Sequence, residues 1–168
     1  MNTQLILKVE NYSPSNKKDI LRFITEMQIC ESHELIQCGG VSSYYKSGHL
    51  DTQYQFIFSE ITDFVLGLFD NRYTASNVWA NICPPGSYVK PHNHYYDEYP
   101  NAIAGVYYIK KPKNSGNLII ENEEIEIKED DLIFFEDTKT HWTYPNCSKE
   151  NRIVVSFNLN PKPQTSKY

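Results

Sequence analysis

From residue 77 to residue 159 the chain is written in short apolar or alternating runs, each stopped within a few residues by Gly, Pro, Asn or Asp. Asn77–Cys83 ends in Pro84-Pro85-Gly86, and Tyr88–His94 follows it. Ala102–Ile109 ends before the turn-rich Lys111-Pro112-Lys113-Asn114-Ser115-Gly116. Leu118–Glu121, Glu124–Ile127, Leu132–Phe135, His141–Tyr144 and Ile153–Leu159 complete the series. Runs of this length with these breakers predict antiparallel strands in a sandwich or jelly roll.

The first half carries a different period. Leu5–Val9 reads as a strand. Ser13-Pro14-Ser15-Asn16 offers N-cap residues, and Ile20, Phe23, Ile24 and Met27 recur at helical spacing behind them. A second helix is expected from about Asp51 to Phe69, with Ile57, Ile61, Phe64, Val65 and Leu68 as its apolar stripe. The stretch from Cys38 to Gly48 reads as irregular or hairpin-like. The expected class is therefore α+β, mainly β: a sandwich or jelly roll with about two supporting N-terminal helices. At 168 residues the chain is expected to be one domain, with support at 1–76, core at 77–160 and a tail at 161–168.

Composition removes several function classes. There is no apolar run long enough to span a membrane and no signal-like N-terminus, so a membrane partner is not expected. Cys30, Cys38, Cys83 and Cys147 are scattered without a Cys-x-x-Cys and read as reduced thiols, which fits a cytoplasmic protein. The net charge of -5 argues against nucleic acid. Lys17-Lys18 and Lys110-Lys111 read as solvated pairs.

Pro91-His92-Asn93-His94 is the motif with chemistry in it. Side chains at i and i+2 of a strand point to the same side, so His92 and His94 can converge and a neighbouring strand can add His141. Imidazole suits iron, zinc and copper. His33 and His49 read as ordinary surface or core histidines. For His92 and His94 alone the ordinary reading competes, and it weakens once His141 and Arg152 stand downstream. Strand alternation places Arg152, Val154, Ser156 and Asn158 on one face. Ile153, Val155 and Phe157 face the other way, toward core between sheets. An inward guanidinium is costly without an anion. A dicarboxylate would supply one through parallel hydrogen bonds, with Ser156 adding a hydroxyl. An ordinary Arg–Asp or Arg–Glu ion pair is the competing account.

At these residues the chain resembles the 2-oxoglutarate- and Fe(II)-dependent oxygenases. It looks similar to a small bacterial and phage group with His-x-His before a Gly-Val-Tyr-Tyr strand, and the resemblance extends to the prolyl-hydroxylase-like branch. The matching pieces are Trp79-Ala80-Asn81, Pro91–His94, Ala104–Tyr108, Ser115–Leu118, His141 with Pro145-Asn146, and Arg152–Asn158, about half of the chain. The resemblance implies a double-stranded β-helix with Fe(II) on His92, His94 and His141. It implies 2-oxoglutarate as co-substrate near Arg152, Tyr108, Ser156 and Asn81, with O2 as oxidant and succinate and CO2 as products. The substrate is left open between a small molecule and a protein side chain, as is homo-oligomerisation. In a phage-encoded protein the compartment would be the host cytoplasm. One departure stands out: relatives carry Asp or Glu where this chain has His94. Either His94 is a ligand or Asp97 from Tyr95–Tyr99 replaces it. Asp97 is out of phase with the strand face. The departure keeps two other readings open, a three-histidine cupin-like metalloenzyme that does not use 2-oxoglutarate and a non-catalytic jelly-roll binding module. The tyrosine-rich loop at 95–99 is expected to form a wall or lid.

Overall fold

In a computed structural model, which describes residues 6–26, 37–44, 52–95 and 98–163, the run Arg152–Pro161 is an inner strand of the major sheet. In chain order the elements are β1 (Ile6–Val9), α1 (Lys17–Glu26), β2 (Gln37–Cys38), β3 (Val41–Ser42) and α2 (Thr52–Leu68). Then come β4 (Tyr73–Cys83), β5 (Tyr88–Val89), β6 (Ile103–Lys110), β7 (Leu118–Ile120) and β8 (Glu123–Ile125). β9 (Leu132–Glu136), β10 (His141–Thr143) and β11 (Arg152–Pro161) finish the series. The major sheet runs β1-β9-β6-β11-β4-β3, antiparallel at every step. A minor layer holds β10-β7-β8 and β2-β5, linked by an isolated bridge between His92 and His141.

Each face of the major sheet has its own core. On the outer face Ile20 and Ile24 of α1 and Phe58, Ile61 and Val65 of α2 pack on Val155 and Phe157. On the inner face Ala104, Val106, Tyr108, Phe135 and Val154 meet Leu118 and Ile120 of the minor layer. This is the expected α+β jelly roll with helical support, with one correction. Ile153, Val155 and Phe157 fill the core under the helices, not the space between sheets. The parity along β11 is as expected, but the layer behind it is different. A second correction falls at the end of α2. Leu68 is exposed and Phe69 is buried in its place. The left-handed residues Asp70 and Asn71, with φ of 52° and 54°, end the helix there. Met27, Cys30, His33, His49 and Asp97 lie outside the described residues.

Gly105 fixes how closely β6 and β11 approach on the helix side. A Cβ there would collide with the Phe157 ring, which is 3% exposed and held against Phe134 at 5.6 Å. Gly105→Ala is therefore expected to cost about 1–3 kcal/mol by overpacking. A thermal melt should read this as a fall of roughly 2–4 °C per kcal/mol. An unchanged midpoint would mean that the Phe157 ring can turn aside.

A three-histidine cluster and a buried arginine in one cavity

The expected strand over Tyr88–His94 stops at Val89, because Pro91 has no N–H to extend a ladder. Three backbone bonds then do what the strand would have done. His92 N–H donates to His141 O at 3.1 Å, His141 N–H donates to His92 O at 2.8 Å, and His94 N–H donates to Asp137 O at 2.9 Å. The histidine side chains therefore converge without a regular strand. Their ligand-capable nitrogens all lie within 4.8 Å of one another.

Second partners set the tautomers. Nδ1 of His92 donates to Lys90 O at 2.8 Å, and Nδ1 of His141 donates to Lys139 O at 3.1 Å. Nδ1 of His94 donates to Asn158 Oδ1 at 2.7 Å. A carbonyl oxygen only accepts, so each ring keeps a proton on Nδ1 and, in its neutral form, leaves a lone pair on Nε2. The Nε2 atoms of His92 and His94 face each other at 3.2 Å. Two donors at right angles, about 2.1 Å from a metal, stand about 3.0 Å apart. The donor set thus fits a cation, and facing lone pairs at this range favour one.

Two of the three rings are also held in the charge state that ligates. Burial, then the neighbouring His92, pushes His94 down to about 4. His141 is pushed well down by burial, then by His92 and His94. Both are neutral at pH 7, the form that ligates. Among the described residues no carboxylate joins the cluster.

Arg152 lies in the same cavity, 1% exposed. Its Nη1 donates to the carbonyl of Ser115, and to those of Gly116 at 3.3 Å and Tyr144 at 3.5 Å. Its Nη2 donates to Thr143 Oγ1 at 2.9 Å. Gly116, at φ +83°, is what lets the loop close on the guanidinium. A Cβ there would come within 3.0 Å of Nη1. Among the described residues no carboxylate lies within ion-pair distance of Arg152, so the ordinary salt-bridge account falls away. Lys111 is pushed down by burial and then by the Arg152 charge. Asp131 pulls the other way on Lys111, but it makes no ion pair with Arg152, and a buried cation calls for an anion.

Parity separates the two tyrosines. Tyr108 lines the cavity, and burial keeps its phenol protonated against the opposing pull of Arg152. Tyr107 points under the helices and donates to Asp130 Oδ1 at 2.6 Å. Asn81 Nδ2 donates to Ser156 Oγ at 3.1 Å, while Asn81 Oδ1 is buried without a partner. Both residues line the cavity of about 270 Å³. At its other side Tyr44 stands edge-on to Trp79 at 5.1 Å, and Trp79 packs on His94 at 5.7 Å. Tyr95 and Tyr99 are about half exposed and do not line the cavity, so the described part of the expected loop is no wall to it.

Thr143 was not among the expected site residues. Its Oγ1 accepts from Arg152 Nη2 and also from Val89 N–H at 3.0 Å. With both lone pairs used, its proton is left to donate. The signal was available, since Thr143 follows His141 by two and so shares its strand face.

No protein-family model matches the chain, and no curated relative matches it in sequence. Its backbone does match solved structures. The viral collagen prolyl hydroxylase of Paramecium Bursaria Chlorella virus-1, solved with 2-oxoglutarate, aligns at TM-score 0.66 and 15% identity over 95% of this chain and 98% of that one. The Trichoplax adhaerens prolyl hydroxylase, solved with a peptide fragment of hypoxia inducible factor, aligns at 0.71 and 14% over 95% and 85%. HygX of Streptomyces hygroscopicus, with nickel and 2-oxoglutarate bound, aligns at 0.74 and 9% over 96% and 84%.

Proposed function

We propose that this chain, built on the fold shared by prolyl hydroxylases and other 2-oxoglutarate oxygenases, is itself an Fe(II)- and 2-oxoglutarate-dependent dioxygenase. One observation carries the reading. A single cavity holds three converging imidazoles and a buried guanidinium that has no carboxylate partner among the described residues.

His92, His94 and His141 would hold the iron. Bound iron with 2-oxoglutarate supplies oxygen activation, which hydroxylates a substrate C–H while the co-substrate becomes succinate and CO2. The protein's part is positioning. Arg152 keeps one Nη2 hydrogen and its Nε–H after its bonds to Thr143 and the carbonyls, enough for two parallel bonds to a carboxylate. Tyr108 and Thr143 offer O–H donors beside it. Ser156 and the orphaned Asn81 Oδ1 would meet the rest of the co-substrate or an ordered water.

The substrate is an unidentified small molecule or protein side chain. Tyr44 and Trp79 beside His94 give it an aromatic wall. Both kinds occur among the structural neighbours, one holding a peptide fragment and another hygromycin B. The absence of a carboxylate among the described cluster residues favours, as second reading, a three-histidine metalloenzyme that does not use 2-oxoglutarate. Adding 2-oxoglutarate to the anaerobic Fe(II) protein separates the two. The lead reading expects a weak visible charge-transfer band, then O2-dependent succinate. Intact metal binding without 2-oxoglutarate binding overturns it.

A further inference from the structure

The three histidines are not oriented in the same way. His92 and His141 each donate Nδ1–H to the carbonyl two residues back, Lys90 O and Lys139 O. The matching acceptor for His94 would be His92 O, but that oxygen takes the N–H of His141 at 2.8 Å and the His94 ring turns elsewhere. His94 is thus the one histidine of the cluster without a local backbone acceptor. Its Nδ1–H is taken instead by a side chain from another strand, Asn158 Oδ1, at 2.7 Å. Asn158 sits on the cavity face of β11, where the register against β4 slips between Asn158 and Leu159. Such slips re-aim side chains near sites.

We propose that Asn158 is the positioning residue that makes His94 a metal ligand, by holding its proton on Nδ1 and its Nε2 lone pair toward His92 and His141. The inference rests on the three-histidine reading above. With the amide oxygen removed, the His94 ring is free to rotate, and its proton is free to occupy Nε2, the atom that must ligate. A carboxylate ligand in this place has no tautomer to fix, so this role of Asn158 belongs with the histidine. Outer partners of ligating histidines typically contribute about 10- to 100-fold in metal affinity.

The probe is Co(II) alone, titrated into the full chain without oxygen or 2-oxoglutarate and read by its visible d–d absorption. Asn158→Leu is expected to weaken binding about 10- to 100-fold and alter the spectrum. Asn158→Ser, whose hydroxyl stops short of the imidazole, should show the same loss and serves if the leucine variant does not fold. Asn158→Asp keeps an acceptor oxygen and should restore wild-type affinity or better. In a His94→Ala background the Asn158→Leu change should cost nothing further, the coupling a double-mutant cycle measures. Wild-type affinity in Asn158→Leu or Asn158→Ser, or an equal loss with and without His94, overturns the proposal. Wild-type affinity in His94→Ala would instead overturn His94 as a ligand, and the proposal with it.

Discussion

Replacing His141 with alanine is expected to abolish stable Fe(II) or Co(II) binding and, with it, succinate formation. Removing an outer partner of a metal ligand costs about 10- to 100-fold in affinity, and removing the ligand itself should cost on the order of 1,000-fold or more. His141 is the most buried of the three, 7% exposed. Its ring centroid lies 4.2 Å from that of His92 and 5.0 Å from that of His94. No other histidine or carboxylate among the described residues stands ready to replace it. The fold should survive, because the bridge to His92 uses the backbone of residue 141 and alanine keeps it. The variant will leave a small gap beside Phe135, whose ring lies 4.6 Å away. Metal content after dialysis and anaerobic Co(II) titration are the measurements. Retained affinity with a cooperative melt would sink the three-histidine centre at its best-anchored residue.

Much of this was legible in the sequence, and what was not has identifiable causes. The parity of Arg152–Asn158 could be read because a strand has only two faces and one of them here is polar. The layer behind the apolar face could not, since two helices and a second sheet both demand Ile, Val and Phe. The convergence of His92 and His94 was foreseen for a reason that only half holds. Pro91 ends the strand, and bonds to Asp137 and His141, far along the chain, restore the geometry. The choice of Tyr108 over Tyr107 came from the family resemblance, and the strand's parity agrees with it. The Ser115, Gly116 and Tyr144 carbonyls that grip Arg152 leave no trace in residue type, because every residue has a carbonyl. Asn158 was placed on the right face, but its bond to His94 depends on a register slip that no periodicity announces.

The second large effect is expected at Arg152. Arg152→Met keeps a long apolar stem and removes the charge and all five donors. Truncating one partner of a buried, hydrogen-bonded charge pair costs roughly 2–5 kcal/mol, which is about 30- to 4,000-fold in Kd for 2-oxoglutarate. Metal affinity should not move, since Arg152 is outside the histidine cluster. Two opposing terms act on the protein without co-substrate. The Ser115, Gly116 and Tyr144 carbonyls and Thr143 Oγ1 lose a donor, at about 1–3 kcal/mol for each group left unsatisfied. Against that, a buried cation with no carboxylate partner among the described residues disappears, which is itself stabilising. The decisive comparison is therefore the response to ligand. A protein held at 100 times its Kd gains about 2.7 kcal/mol, or roughly 5–10 °C for a chain of this size. The wild type with Fe(II) should show that rise on adding 2-oxoglutarate under nitrogen, and Arg152→Met should not. Arg152→Lys should recover only part of it, because an ammonium cannot serve Thr143, the Ser115 carbonyl and a carboxylate from one fixed plane. If Arg152→Met binds 2-oxoglutarate as the wild type does, the buried guanidinium has another purpose. The second reading, a metal centre that works without this co-substrate, then takes precedence.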